Sequence, residues 1–149
     1  MATTSLKSEW EEQISKFCNL PSIIVSGQRH ERLKQYQQDS FFYITNYEQI
    51  MRDHDEISRL LSPDVIILDE AQRIKNWRTK TAATIKSLQS PYAFVLTGTP
   101  IENRIDDIYS LVQFLDPKFF GSLFRFNREF YKLDIMGNTP ARILDCAIL

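Results

Sequence analysis

Apolar positions along this chain follow helical and strand rhythms in turn. Leu6, Trp10, Ile14 and Phe17 share one face of a helix, while Lys7, Glu11 and Glu12 point elsewhere. Ser5 is its expected N-cap, and Asn19 with Pro21 its stop. Ile23-Ile24-Val25 reads as a short buried strand closed by Ser26-Gly27. Gln28 to Gln38 is polar apart from Leu33 and Tyr36, which predicts an exposed helix. Phe41 to Thr45 is aromatic and β-branched, the signature of a second strand. Asn46 is placed to cap a helix from Tyr47, with Ile50 and Met51 inward. Asp53-His54-Asp55 is expected to interrupt that helix or to lie on its solvent face, before Ile57, Leu60 and Leu61 continue the stripe to Ser62-Pro63.

Val65-Ile66-Ile67-Leu68 is apolar without alternation, so a strand covered on both faces is expected. Thr79 to Leu88 reads as a helix with Ala82, Ile85 and Leu88 on one side, and Tyr92 to Leu96 as a fourth strand. Ile105, Ile108, Leu111, Val112 and Leu115 mark an amphipathic helix stopped by Asp116-Pro117, and a last helix spans about Ser122 to Tyr131. Strands alternating with helices predict an α/β domain, a mostly parallel sheet flanked by helices. After Asp134 the pattern fades into turn chemistry at Gly137-Asn138-Thr139-Pro140 and a short apolar end. The expected division is a domain over 3–133 and a poorly patterned tail over 134–149.

Composition narrows the classes. The 149 residues are 43% apolar and 25% charged, as in an ordinary globular domain. Eighteen basic against nineteen acidic residues leave a net charge of −1, which excludes a globally basic nucleic-acid binder but not a local basic patch. Cys18 and Cys146 lie at opposite ends, and His30 and His54 are the only histidines, so a structural zinc site is not expected. No apolar run approaches a membrane span and no signal-peptide pattern opens the chain. The expected location is intracellular: cytoplasm or nucleoid in a bacterium, nucleus in a eukaryote.

Ligands of open parallel sheets gather at the carboxyl ends of strands. Three such ends carry polar residues here: Thr45-Asn46, Asp69-Glu70 and Thr97-Gly98-Thr99. A carboxylate directly after an apolar strand suits Mg²⁺ held through water, and a second beside it can deprotonate an attacking water. Each feature alone also has a bland reading. Acidic pairs cap helices or face solvent, Thr-Gly-Thr-Pro makes a turn, and Arg73, Lys75, Arg78 and Lys80 can be a solvated face.

Together they are specific. Asp69-Glu70-Ala71-Gln72-Arg73-Ile74-Lys75-Asn76, followed by Leu96-Thr97-Gly98-Thr99-Pro100-Ile101-Glu102-Asn103, closely resembles the Swi/Snf family of double-stranded DNA translocases of helicase superfamily two. Thr4 to Trp10, Ile44 to Glu48 and Ile108 to Pro117 match as well, so the resemblance runs from about Thr3 to Leu133. It implies a RecA-like, P-loop NTPase lobe. It further implies that Asp69 holds the Mg²⁺ of ATP, that Glu70 is the general base, and that Gln72 senses nucleotide. By the same resemblance Thr97, Gly98 and Thr99 couple hydrolysis to movement. Ser5, Lys7, Thr45 and Asn46 match segments that touch the DNA phosphate backbone, and Arg73, Lys75 and Asn76 add further DNA contacts. The implied partners are duplex DNA read without sequence preference, the remainder of the ATPase core, and protein–DNA complexes as substrates, with no membrane.

The sequence departs from the family first in its glycines, and the family's second lobe, with the arginine that completes the ATP site, is not expected within it either. None of Gly27, Gly98, Gly121 and Gly137 precedes Lys, so G-x-x-x-x-G-K-[ST] is absent. The expectation is an incomplete lobe without the phosphate-loop strand and helix, which binds no nucleotide tightly and is inactive alone. The sheet edge beside Tyr92 to Leu96 is expected to be open and prone to pairing. The alternative is a non-catalytic module that binds DNA or a partner.

Overall fold

The computed structural model describes residues 4–76, 78–98, 106–133 and 140–143. Six helices are described: α1 (Thr4–Phe17), α2 (Arg29–Tyr36), α3 (Tyr47–Leu60), α4 (Lys80–Ser87), α5 (Asp106–Leu115) and α6 (Leu123–Phe130). The strands are β1 (Ser22–Ile24), β2 (Phe42–Ile44), β3 (Val65–Leu68), β4 (Tyr92–Val95), β5 (Tyr131–Leu133) and β6 (Pro140–Ile143). The expected parallel pairing is present, as two separate ladders. β1 lies beside β2 with Ser22 opposite Phe42, and β3 beside β4 with Val65 opposite Tyr92. Pro140–Ile143, in the stretch where the sequence pattern fades, pairs antiparallel with Tyr131–Leu133.

One core joins the two parallel pairs. Val25, Tyr36, Tyr47 and Ile50 pack in the same cluster as Ile66, Leu68, Ala71, Ile74, Ala82, Ile85 and Leu111. A smaller aromatic cluster of Tyr109, Phe120, Phe126 and Phe130 holds α6 against α5. Caps set the helix starts. Asn46 accepts from the Gln49 amide at 2.8 Å, and the Thr79 hydroxyl from the Ala82 amide at 3.1 Å.

Three expectations are corrected, and of the two alternatives for Asp53 the helix interruption holds. Helix α1 begins at Thr4, so Ser5 lies inside it and is not its cap. The helix after Gln28 is not exposed on all sides. Arg32 and Tyr36 turn inward and are buried, because Arg32 finds a partner there. That partner is Asp53, whose φ of −115° and ψ of 18° kink α3 while its side chain is fully buried, so it interrupts the helix and faces away from solvent. Finally, β3 is covered on one face only. Ile66 and Leu68 are buried, but Val65 and Ile67 are exposed, as are Tyr92 and Phe94 opposite them and Leu96 beyond.

Candidate nucleotide and nucleic-acid site

Backbone geometry at the end of β3 builds the acidic corner. The ladder runs on past the strands through Leu96 N–H to Leu68 O at 2.8 Å, and Ala71 N–H returns to Leu96 O at 3.0 Å. Between those bonds the chain must reverse from strand into a short 3₁₀ turn, Ala71–Ile74. Glu70 makes the reversal at φ 52° and ψ 45°, left-handed backbone that a non-glycine residue adopts at a cost. Such strain gathers at functional corners, and here it falls on one of the two residues singled out for chemistry.

Both oxygens of Asp69 are held. Trp10 Nε1–H donates to Oδ2 at 2.8 Å, and Glu70 N–H donates to Oδ1 at 2.9 Å. The Tyr47 hydroxyl donates to the Asp69 carbonyl at 2.9 Å and so ties the start of α3 to the end of β3. The Glu70 carboxylate accepts from the Gln72 amide, and Gln72 Oε1 accepts from the Thr97 hydroxyl at 3.0 Å. Glu70, Gln72 and Thr97 are therefore one connected chain across the ends of β3 and β4. Gly98 is exposed, and a Cβ there would meet none of the described atoms within 4 Å. Thr99 lies outside the described residues.

The corner suits Mg²⁺. Among the described residues each Asp69 oxygen accepts from one donor, which leaves it a further lone pair. Mg²⁺ is usually held by one or two carboxylates, with water and substrate phosphates completing the shell. Among the described residues no group of three or more His, Cys, Asp or Glu gathers into an all-protein cage, so that mode of holding is the one this donor set fits.

A different arrangement closes the ends of β1 and β2. Lys7 is only 4% exposed, and its ammonium donates to Val25 O at 2.7 Å and Gln49 Oε1 at 2.6 Å. Gln49 Oε1 also accepts from the Thr45 hydroxyl at 3.1 Å and from Asn46 N–H at 3.3 Å, while Gln49 Nε2 donates to Val25 O at 3.1 Å. Lys7, Thr45 and Asn46 are thus brought together around Gln49, with the lysine inside. Burial lowers the Lys7 pKa, and the nearby Arg32 cation adds to that. Ser5 lies on the same helix; its side chain is outside the described set.

Arg73 lies within the 3₁₀ turn, 5.7 Å above the Tyr47 ring, with Nη1 2.7 Å from Glu48 Oε1. With Met51 and Thr81 these residues line a depression of about 320 Å³. Lys75 is half-buried and Asn76 exposed. Asn76 shapes the turn into α4: its Oδ1 accepts from Arg78 N–H at 3.1 Å and its carbonyl from the Thr79 hydroxyl at 3.0 Å.

Three residues with central roles here were not singled out from the sequence: Trp10, Tyr47 and Gln49. Gln49 carried a signal, since Asn46-x-x-Gln49 is a capping-box spacing. Trp10 and Tyr47 carried a weaker one, because an indole or phenol taken out of water needs a polar partner without naming it.

A family model described as the SNF2-related domain matches residues 1–142. A probable ATP-dependent helicase of Plasmodium falciparum is 35% identical over 133 residues, covering 85% of this chain and 6% of that protein. The uncharacterized ATP-dependent helicase YqhH of Bacillus subtilis is 31% identical over 134 residues, 89% of this chain and 23% of that protein. Among solved structures, the SWI2/SNF2 ATPase core of Sulfolobus solfataricus in complex with dsDNA superimposes with a TM-score of 0.74 at 37% identity, covering 85% of this chain and 26% of that one. That likeness shows the expected fold, part of a RecA-like lobe. The chain spans a quarter or less of either helicase.

Proposed function

Because this chain belongs to the SNF2-related domain family, we propose that it forms part of the first ATPase lobe of a translocase that moves on double-stranded DNA at the expense of ATP. The observation that carries this reading is the bonded chain Glu70–Gln72–Thr97, which links a strand-end carboxylate pair to the end of the neighbouring strand. Asp69 is the proposed Mg²⁺ carboxylate, acting through water, and the metal when bound neutralises charge on the ATP phosphates. Glu70 accepts the proton of the attacking water. Gln72 bonds that base to Thr97, so a shift at either strand end is felt at the other. Thr97, Gly98 and Thr99 then pass the state of the nucleotide to the DNA-tracking surface.

That surface is proposed to comprise Ser5, Thr45, Asn46, Arg73, Lys75 and Asn76, with Lys7 acting from inside by fixing the Gln49 corner. Hydroxyl, amide and cationic contacts to phosphates hold register without reading bases. The remaining partners are the rest of the ATPase core and DNA-bound proteins as cargo. The 149 residues contain no Gly-rich loop ending in Lys, so tight ATP binding and turnover are assigned to the larger assembly. The bare apolar face of β3 and β4 favours a second reading, a non-catalytic module seated on a partner lobe.

Fluorescence anisotropy with short duplexes tests the reading. Affinity is expected to be the same for unrelated sequences and to fall steeply with salt, with a logarithmic slope of about −0.9 per phosphate neutralised. Arg73→Ala should make that slope shallower by roughly one. Binding that depends on sequence, or that ignores salt, would overturn the DNA reading. Phosphate release from ATP by the chain alone, stimulated by DNA above a Glu70→Gln control, would overturn the assignment of turnover to the larger assembly.

A further inference from the structure

We infer that Trp10 is a positioning residue for the Asp69 carboxylate, holding it in the orientation from which it takes Mg²⁺; this rests on the reading of Asp69 as the metal carboxylate. The two residues are 59 positions apart in sequence, and the bond joins the middle of α1 to the end of β3. Glu70 N–H fixes Oδ1 locally, from the adjacent peptide. A single donor would still let the carboxylate swing about its Cβ–Cγ bond. The indole N–H on Oδ2 supplies the second fixed point, and two donors on two oxygens define the plane of the group.

Helix α1 can hold that second point still because it is anchored one turn earlier. Lys7, expected from the periodicity to point away from Trp10, is instead buried, and three positions apart the two are neighbours along α1. Lys7 is bonded to Val25 O and Gln49 at the ends of β1 and β2, so α1 spans from that corner to the acidic corner. A displacement of α1, the helix that also carries Ser5, therefore reaches Asp69 through the indole. Groups that orient a metal-binding carboxylate from outside typically change metal affinity by roughly 10-fold or more when removed.

The test uses the full chain, ¹⁵N-labelled, with Mn²⁺ as the probe. Mn²⁺ should broaden the Glu70 amide and the Trp10 indole resonances selectively in the unsubstituted chain. Trp10→Phe keeps an aromatic ring, smaller than indole, and removes the donor. It should weaken Mn²⁺ binding roughly 10-fold, read from the Glu70 amide, with amide resonances elsewhere in place. Unchanged Mn²⁺ affinity in that variant overturns the role of Trp10 and leaves the metal reading standing. Absence of selective broadening in the unsubstituted chain overturns the metal reading itself, and this inference with it. If Trp10→Phe loses the fold, Asp69→Ala tests the bond from its other end. The Trp10 indole proton should then move toward the free-indole position and exchange faster with water. An indole resonance unmoved by Asp69→Ala overturns the inference.

Discussion

The two parallel strand pairs end in corners of opposite character. At β1 and β2 the polar groups satisfy one another: Lys7, Thr45 and the Asn46 amide converge on Gln49, and the lysine is buried. Nearby, Arg32 and Asp53 form a buried pair, with Arg32 also bonded to Gly27 O in the turn after β1. At β3 and β4 the bonded groups retain chemical capacity. Among the described residues each Asp69 oxygen accepts from one donor, which leaves it a further lone pair, and Glu70 is half-buried in a strained turn. Equal topology thus supports unequal tasks. A corner whose donors and acceptors are matched inward is a rigid anchor, whereas a corner with spare acceptors held in place has the means to hold a ligand.

The largest expected effect breaks the anchored side. Asp53→Ala leaves the Arg32 guanidinium buried without its carboxylate, and should cost about 3–5 kcal/mol in urea denaturation. Burial pushes the Asp53 carboxyl up, but the bonds from Arg32 and Tyr36 outweigh this and hold it below its ordinary value. Its contribution is therefore present above the ordinary carboxylate range and is lost as pH falls through the folded value. An acid limb of stability that persists unchanged in Asp53→Asn would contradict that assignment.

Lys7→Met should come next, at about 1–3 kcal/mol, because Gln49 Oε1 and Val25 O lose a buried donor. If the corner is an anchor and not a contact, the variant should lower thermal stability more than it changes the salt slope of DNA binding. A normal melting temperature with a shallower slope would reverse the contrast between the two corners.

Lys86, on α4, sharpens the comparison. Its ammonium donates to the Ser110 hydroxyl and to Gln113 Oε1, each at 2.9 Å, and burial lowers its pKa to about 8 from an ordinary 10.5. The folded chain holds this proton less tightly than the unfolded chain. Stability should therefore rise as pH climbs from about 8 to 10.5, and Lys86→Met should remove that rise. Matching pH profiles of the two proteins over this window would refute it.

The smallest effect concerns the exposed pair on the open side. Glu48 occupies Arg73, so Glu48→Gln should raise DNA affinity about two- to fivefold at low salt, consistent with a surface pair worth under about 1 kcal/mol. The gain should vanish near 0.2 M salt, where such charges are screened. A gain that survives high salt would mean that Glu48 acts through structure.

Much of the scaffold was legible as local pattern. The helix after Asn46 begins where its cap was expected, the expected Thr79 to Leu88 helix is present over Lys80–Ser87, and Ala82, Ile85 and Leu88 are buried together as their spacing requires. Asp69, Glu70 and Thr97 stand at strand ends because strand length and turn chemistry are written locally. What was not legible required knowledge of neighbours distant in sequence. The four apolar residues of β3 cannot say whether one face or two will be covered, since that depends on which other segments are there to cover them. Asp53 reads as a helix interruption or a solvent residue, and only Arg32 brought beside it decides that it is buried.

By itself, then, the sequence determined the order and type of the elements, the family resemblance and the residues that could carry chemistry, because caps, periodicity and motifs are properties of contiguous segments. Only the tertiary structure decided which of those polar residues are held inside and which keep a free acceptor. It alone put the Trp10 indole on Asp69 and the Lys7 ammonium on Gln49, because a hydrogen bond across 59 or 42 positions exists only once the core has packed the segments together.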